Sequence, residues 1–421
     1  MKANIISIGD ELLIGQVINS NATFIAAELT KIGFKVNTQI AVGDQAEAIN
    51  QALTNSLNSV DLVVLTGGIG PTKDDKTKEV LCDYFEDKLV LNEFALTNLK
   101  EVLGRRGISE ISETNHRQAE LPSRCKPLKN KLGTACGMVF EKQDKVVIAL
   151  PGVPYEMETL MRDEVVPFLQ EKTAFATSIF HRTLMVHGVP EARLSDELED
   201  FEAALPQGVS LAYLPNHGII RLRLTGFNSA KEIDEQFIKL SETVKPYLVA
   251  LEDLPYEQII GNLLKQKRAT IAVSESCTGG YLSHLLTKHA GSSAFFKGSL
   301  VAYQNEVKSE ILQVRKELLK KHGAVSELVV RDMALNTLQM FDADYAIAVS
   351  GIAGPDGATP DKPVGTVWIA AASSKRLATK LLQTSGTRQV IIVRAVYAAL
   401  NLLQKEILEN EILKPVNNGR E

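Results

Sequence analysis

Asp61-Leu62-Val63-Val64-Leu65-Thr66 is an almost unbroken apolar run, and Gly67-Gly68-Ile69-Gly70 follows it directly. Such a run suits a strand covered on both faces, as in a parallel sheet with helices on either side. The pattern recurs. Ala269 to Val273 leads into Ser274-Glu275-Ser276-Cys277-Thr278-Gly279-Gly280, and Asp344 to Val349 leads into Ser350-Gly351-Ile352-Ala353-Gly354-Pro355-Asp356-Gly357. Parallel strands place ligand sites at their carboxyl ends, so these turns restrict the chain to an α/β architecture with candidate sites along those edges.

In order, residues 3–8 read as a first strand, and Asn19 or Ser20 can cap a helix reaching about Lys31. A strand from Phe34 to Val42, a helix from Ala46 to Leu57 and the apolar run complete a β-α-β-α-β alternation. Val146 to Leu150 adds a strand that ends at the turn Pro151-Gly152-Val153-Pro154. Residues 1–170 are therefore expected to form a doubly wound domain. From about Phe175, alternating strands (Thr183 to Val186, Val209 to Leu214, Ile219 to Thr225) mix with helices (Glu191 to Ala204, Ser229 to Val244). This predicts a small KH-like α+β unit over 171–252. It has no GxxG between 175 and 250 to clamp a nucleotide backbone, so a spacer or dimerisation module is expected. Glu252-Asp253-Leu254-Pro255 reads as a linker to a second α/β domain, 253–415, with a long closing helix from Gln389 to Leu408 and a frayed tail from Lys414. A chain of 421 residues is long enough for these three domains.

Composition mainly excludes. Lys plus Arg number 46 against 51 Asp plus Glu, a net charge of −5, which is no footprint for nucleic acid. The four cysteines (Cys82, Cys125, Cys136, Cys277) form no CxxC pair, so neither a zinc knuckle nor a disulfide framework is indicated. The N-terminus turns polar too early for a signal peptide, and no apolar run reaches membrane-spanning length. A cytoplasmic protein is expected.

At the first domain's sheet edge, Gly67, Gly68 and Gly70 allow the backbone to approach a phosphate, with Thr72 beside them. Asp74 and Asp75 can hold a hard cation, and Asp10 and Glu11, ending the first strand, fall on the same edge. The plainer account is a Gly-Pro turn followed by acids at a helix N-terminus, where they are favourable anyway. In the second domain, three hydroxyls and a thiol crowd the turn 274–280. Ser276 can act as a nucleophile if Lys308, in Tyr303-Gln304-Asn305-Glu306-Val307-Lys308, is desolvated and serves as its base. Cys277 is the rival nucleophile. Gly351, Gly354 and Gly357 offer an anion-binding surface and Arg388 a fork for phosphate. By pattern this is acyl or phosphoryl transfer.

Ser274-Glu275-Ser276-Cys277-Thr278-Gly279-Gly280, Tyr303-x-Asn305-x-x-Lys308, Gly323-Ala324-Val325-Ser326 and the loop from Ser350 followed by Pro363-Val364-Gly365-Thr366-Val367 resemble the C-terminal domain of the CinA (competence/damage-inducible) family. Gly9-Asp10-Glu11-Leu12-Leu13-x-Gly15, Gly67-Gly68-x-Gly70-Pro71-Thr72-x-Asp74-Asp75 and Pro151-Gly152-Val153-Pro154-x-Glu156-Met157 resemble that family's N-terminal, molybdopterin-binding-like domain. The resemblance implies a nicotinamide mononucleotide deamidase in the C-terminal domain, without a cofactor. It implies an ADP-ribose pyrophosphatase with a divalent metal (Mg, Mn or Co) in the N-terminal domain. Ser276 would be the nucleophile and Lys308 its base, supported by Tyr303 and Asn305. Thr278, Gly279, Gly280, the residues Ser350, Gly351, Gly354 and Gly357, Thr366 and Arg388 would hold the nucleotide. Where the family often has Gly-Asp-Arg, this chain has Gly386-Thr387-Arg388. The likeness also implies a homodimer acting on small nucleotides. The alternative is a competence- or damage-related binding protein whose N-terminal domain binds a pterin or nucleotide without cleaving it.

Overall fold

The computed structural model describes residues 1–72, 74–108, 110–172, 179–226 and 229–409. The texture change near Phe175, the tail from Lys414 and the domain end at 415 lie outside the described residues. The chain divides into two compact units, Met1–Phe180 with Gly226–Ser229 and His181–Thr225 with Ala230–Glu421.

The first unit is built on strands β1 (Lys2–Ile8), β2 (Lys35–Val42), β3 (Leu62–Thr66), β6 (Lys126–Leu128), β7 (Gly137–Lys142) and β8 (Lys145–Leu150); β4 (Leu89–Leu91) and β5 (Glu120–Pro122) form a separate antiparallel pair. The sheet order is β2-β1-β3-β8-β7-β6, parallel from β2 to β8 and antiparallel beyond. Side chains of β3 alternate between two cores, as the two-residue strand period requires. Val63 and Leu65 pack with Ile49 and Leu53, whereas Leu62 and Val64 pack with Ile25, Leu29 and Met157. Each such fully buried aliphatic side chain is worth about 1.5–3 kcal/mol. Double-sided burial explains why the run reads as continuously apolar. The antiparallel part, β6 and β7, escaped the sequence analysis because both strands are short and are separated by the polar turn around Asn130. Asn19 caps the helix Ser20–Lys31 by accepting from Ala22 N.

The second unit holds two sheets. β9 (Phe180–His187), β10 (Ser210–Asn216), β11 (Ile219–Gly226) and β12 (Leu248–Ala250) take the order β10-β11-β9-β12, in keeping with the small α+β unit expected. β13 (Ile271–Glu275), β14 (Phe296–Val301), β15 (Tyr345–Gly351), β16 (Thr366–Ser373) and β17 (Leu377–Gln383) take the order β14-β13-β15-β16-β17. β14, β13 and β15 are parallel, β16 runs antiparallel to β15, and β17 antiparallel to β16. Met185, Ile219 and Val249 of the smaller sheet belong to the same buried cluster as Tyr256, Ile260 and Leu403. Gln404 Nε2 adds a 2.9 Å hydrogen bond to Val249 O. The middle segment therefore shares a core with the C-terminal domain.

Candidate functional sites

In the first unit, β1, β3 and β8 end side by side, with Ser7 opposite Thr66 and Thr66 opposite Leu150. The three turns that follow line one cleft of about 480 Å³. Gly67 is left-handed (φ 108°), and a Cβ there would lie 2.3 Å from Ile8 O, so the turn closes against β1 only with glycine. Thr77 Oγ1 donates to Gly67 O, pinning the loop to the helix Thr77–Phe85. Gly67, Gly68, Gly70, Glu11, Asp74 and Asp75 all line the cleft, as the sequence suggested.

Two of the expected residues are used differently. Asp10 turns away, its Oδ1 accepting from Asp44 N while Asp44 Oδ2 accepts from Asp10 N. Asp44, at the end of β2, lines the cleft instead. Thr72 spends both its N–H and its hydroxyl on Asp75 Oδ2, so its donors serve the loop rather than a ligand. Burial raises the Asp44 carboxyl, and the charges of Asp10, Glu11 and Asp74 raise it further. Asp44 was legible in principle, since β2 is parallel to β1 and its end shares the same edge. Arg106, Asn115, Gln118 and Glu156 also border the cleft, and of these only Glu156 stands in one of the motifs read from the sequence. Among the described residues no group of three or more His, Cys, Asp or Glu side chains is gathered tightly enough to hold an ion as it stands. In donor type the lining still suits a hard cation, because Glu11, Asp44, Asp74, Asp75 and Glu156 offer carboxylate oxygens.

In the second unit, Glu275 does the positioning. It is fully buried, and its carboxylate accepts from Gly280 N (3.1 Å), Leu282 N (3.0 Å), Ser283 N (2.9 Å) and Ser283 Oγ (2.5 Å). It thereby caps the helix Tyr281–Thr287 from the end of β13 and fixes the turn between them. Gly279 (φ 59°) and Gly280 (φ 96°) make that turn. Ser276 N donates to Val349 O on β15. Gly279 N donates to Ser276 O and Tyr281 N to Thr278 O, which closes the turn around Ser276.

Lys308 Nζ lies 3.0 Å from Ser276 Oγ. It donates to Ala302 O (2.6 Å) and Tyr303 O (3.0 Å), carbonyls at the end of β14. Lys308 is 1% exposed, and desolvation pushes its ammonium down to about 8. The ammonium donates to all three oxygens; once neutral, the amine keeps both carbonyl bonds and turns its lone pair to the Ser276 hydroxyl. The Cys277 thiol is pushed up to about 12, first by burial, with Glu275 adding to it. Thiolate is then negligible near neutrality, which leaves Ser276 as the better nucleophile.

Arg388 joins two further pieces: Nη2 donates to the Tyr303 hydroxyl (3.0 Å) and Nη1 to Gly354 O (2.8 Å). Thr387 caps the helix Arg388–Leu402 by accepting from Val390 N. The loop starting at Ser350 is more structural than expected. Ser350 Oγ donates to Ala324 O and Thr366 Oγ1 to Pro363 O, so neither hydroxyl proton is left for a ligand. A Cβ on Gly351 would lie 2.8 Å from Val367 Cα, so this glycine serves strand packing. Gly357 stays exposed farther along the loop. Asn305 is exposed and borders a shallow surface hollow with Ser309, Glu310 and Lys320.

A "CinA-like protein" of Cytophaga hutchinsonii is 44% identical over 97% of this chain and 98% of its own length. The chain belongs to the CinA family. A "CinA-like protein" of Flavobacterium psychrophilum is 40% identical over 97% and 99%. The family profiles described as CinA C-terminal domain, probable molybdopterin binding domain and damage-inducible protein CinA KH domain match residues 253–407, 4–171 and 181–250. A crystal structure of the competence damage-inducible protein A from Klebsiella pneumoniae is 37% identical, with a TM-score of 0.36; it covers 37% of this chain and 95% of that one. The architecture is thus a molybdopterin-binding-like domain, a KH-like middle domain and a CinA C-terminal domain. Among the described residues no helix is long and apolar enough to cross a membrane.

Proposed function

We propose that this chain is a bifunctional hydrolase of pyridine-nucleotide salvage. Its C-terminal domain converts nicotinamide mononucleotide to nicotinic acid mononucleotide and ammonia. The observation carrying this reading is the 3.0 Å contact between the buried Lys308 amine and Ser276 Oγ. Neutral Lys308 takes the hydroxyl proton as Ser276 Oγ attacks the carboxamide carbon, and backbone N–H groups of the turn would stabilise the developing oxyanion. Lys308 then passes that proton to the departing nitrogen, which leaves as ammonia and an acyl-serine ester remains. Water, deprotonated by Lys308, attacks the ester and frees the acid. Arg388, held by Tyr303 and Gly354, is placed to receive the nucleotide's phosphate. Ser276→Ala is expected to abolish ammonia release while ADP-ribose hydrolysis persists; undiminished ammonia release in that variant would falsify the assignment.

The N-terminal domain, in the same reading, hydrolyses ADP-ribose to AMP and ribose 5-phosphate. Glu11, Asp44, Asp74 and Asp75 would hold a divalent cation (Mg, Mn or Co), which supplies charge neutralisation on the diphosphate. The glycine loop offers its backbone to the phosphates. A homodimer in the cytoplasm is part of this proposal.

A further inference from the structure

The middle domain has no GxxG to clamp a nucleotide backbone, yet the tip of its β10–β11 hairpin lies against the helix that starts with Arg388. The two strands pair to the last rung, Asn216 opposite Ile219, and His217 (φ 49°) and Gly218 (φ 98°) make the two-residue turn between them. Ile219 is buried in the cluster of Tyr256 and Leu403, which anchors the tip. A Cβ on Gly218 would lie 3.8 Å from Arg394 Cγ, so the turn faces the aliphatic stem of that arginine.

Arg394 stands on the helix Arg388–Leu402. Helical side chains lean toward the N-terminus, so Arg394 reaches back to the segment that enters the helix. Its Nη1 donates to Thr384 Oγ1 (2.9 Å) and to Ser385 O (2.9 Å). From the opposite direction, Thr384 N donates to Gly365 O (3.1 Å), and Gly365 N to Ile352 O (2.8 Å). The segment 384–387 is thus held from two sides, and its end fixes where Arg388 begins.

We propose that the β10–β11 hairpin braces the segment 384–387 through Arg394, and thereby sets the affinity of the C-terminal site for its phosphate-bearing substrate. This rests on the reading of Arg388 as the group that receives the nucleotide's phosphate. Arg394 is a positioning residue acting through Arg388. A long, rotamer-rich side chain loses freedom when it holds two acceptors, and a wall of backbone along its stem takes part of that loss before substrate arrives. The middle domain thereby gains a task that needs no nucleic acid.

The test is steady-state ammonia release from nicotinamide mononucleotide by the full chain. Arg394→Met keeps the stem and removes both bonds, so KM should rise about ten-fold with kcat changed by less than about two-fold, since Arg388 binds and does not react. Arg394→Lys, which keeps the charge on a shorter reach, should fall between the two. Asn tolerates positive φ, so Gly218→Asn sets a side chain against the Arg394 stem and should raise KM about three-fold in the wild type but not in Arg394→Met. A fall in kcat at unchanged KM overturns the proposal. So do equal KM values in wild type and Arg394→Met, or a Gly218→Asn effect that persists in the Arg394→Met chain. Amide hydrogen exchange of 384–387, followed by mass spectrometry on the same proteins, does not depend on turnover. Exchange accelerated by both substitutions, in a wild type that releases no ammonia, removes the deamidase reading and keeps the brace. Ammonia release with KM and exchange both untouched keeps the deamidase and removes the brace.

Discussion

Lys308 is the residue on which the proposed deamidase chemistry turns, and its burial has consequences for both rate and stability. With the ammonium pushed down to about 8, only about a tenth of the enzyme carries the neutral amine at pH 7. Deamidase kcat/KM should therefore rise about ten-fold from pH 7 to a plateau above pH 8 to 9, read from initial rates of ammonia release. A profile flat between pH 6 and 9 counts against Lys308 as base. The stability effect has the opposite sense from an ordinary ion pair. The folded value lies below the usual 10.5 of an unfolded lysine, so below pH 8 the fold carries a buried charge it disfavours. Wild-type stability should rise as pH goes from about 8 to 10.5. Lys308→Met should abolish ammonia release yet stabilise the protein at pH 7 by roughly 2 kcal/mol, less whatever Ala302 O and Tyr303 O lose as acceptors. Denaturant titration at pH 7 and pH 10.5 should show that gain shrinking toward zero at the higher pH.

At the scale of elements, both sites are strand ends whose turns are held by one buried group each. Glu275 makes four hydrogen bonds across the turn to the helix Tyr281–Thr287. Glu275→Gln keeps the shape but replaces one acceptor oxygen by a donor, leaving N–H groups facing N–H groups. A loss of about 1–3 kcal/mol is expected, together with reduced ammonia release, because Ser276 rides on that turn. Chemical denaturation that finds no loss would show the turn to be held by other contacts. Gly67 is the counterpart in the first unit. Gly67→Ala must fit a Cβ 2.3 Å from Ile8 O at a left-handed φ, so a loss above about 1 kcal/mol is expected, with the phosphate cleft distorted.

For the molecule as a whole, the proposed function gives the two units unlike chemistries, which should respond separately. A chelator should stop ADP-ribose hydrolysis and leave ammonia release intact, measured on one preparation with both substrates. Equal sensitivity of the two activities contradicts the assignment of metal to the first unit alone. The shared core of the second unit gives a mechanical prediction. Ile219 belongs to the middle sheet but packs in the cluster of Tyr256 and Leu403. Ile219→Ala should cost about 2–5 kcal/mol and lower the melting of the C-terminal domain together with its own, seen by calorimetry of the full chain. Melting of the C-terminal domain at an unaltered temperature would mean the middle segment folds as a separate body.

The sequence determined the strand ends. An apolar run buried on both faces has a signature that depends only on local order, so β3, β13 and β15 and the glycine turns after them could be read directly, as could Ser276 within its motif. The carboxylates were half legible: Glu11, Asp74 and Asp75 do line the cleft, whereas Asp10 does not. Whether a side chain at a strand end turns into the cleft or back toward its neighbour depends on contacts with β2, which no local pattern encodes. The same limit hid Asp44, the capping role of Glu275, and the spending of the Ser350 and Thr366 hydroxyls on backbone carbonyls. Only the tertiary structure could bring Lys308 to Ser276, because their 3.0 Å contact spans two strands and depends on Ala302 O and Tyr303 O taking the other amine protons. Desolvation is a property of the packed interior, and it is what turns a lysine that the sequence could only name into one poised to lose its proton.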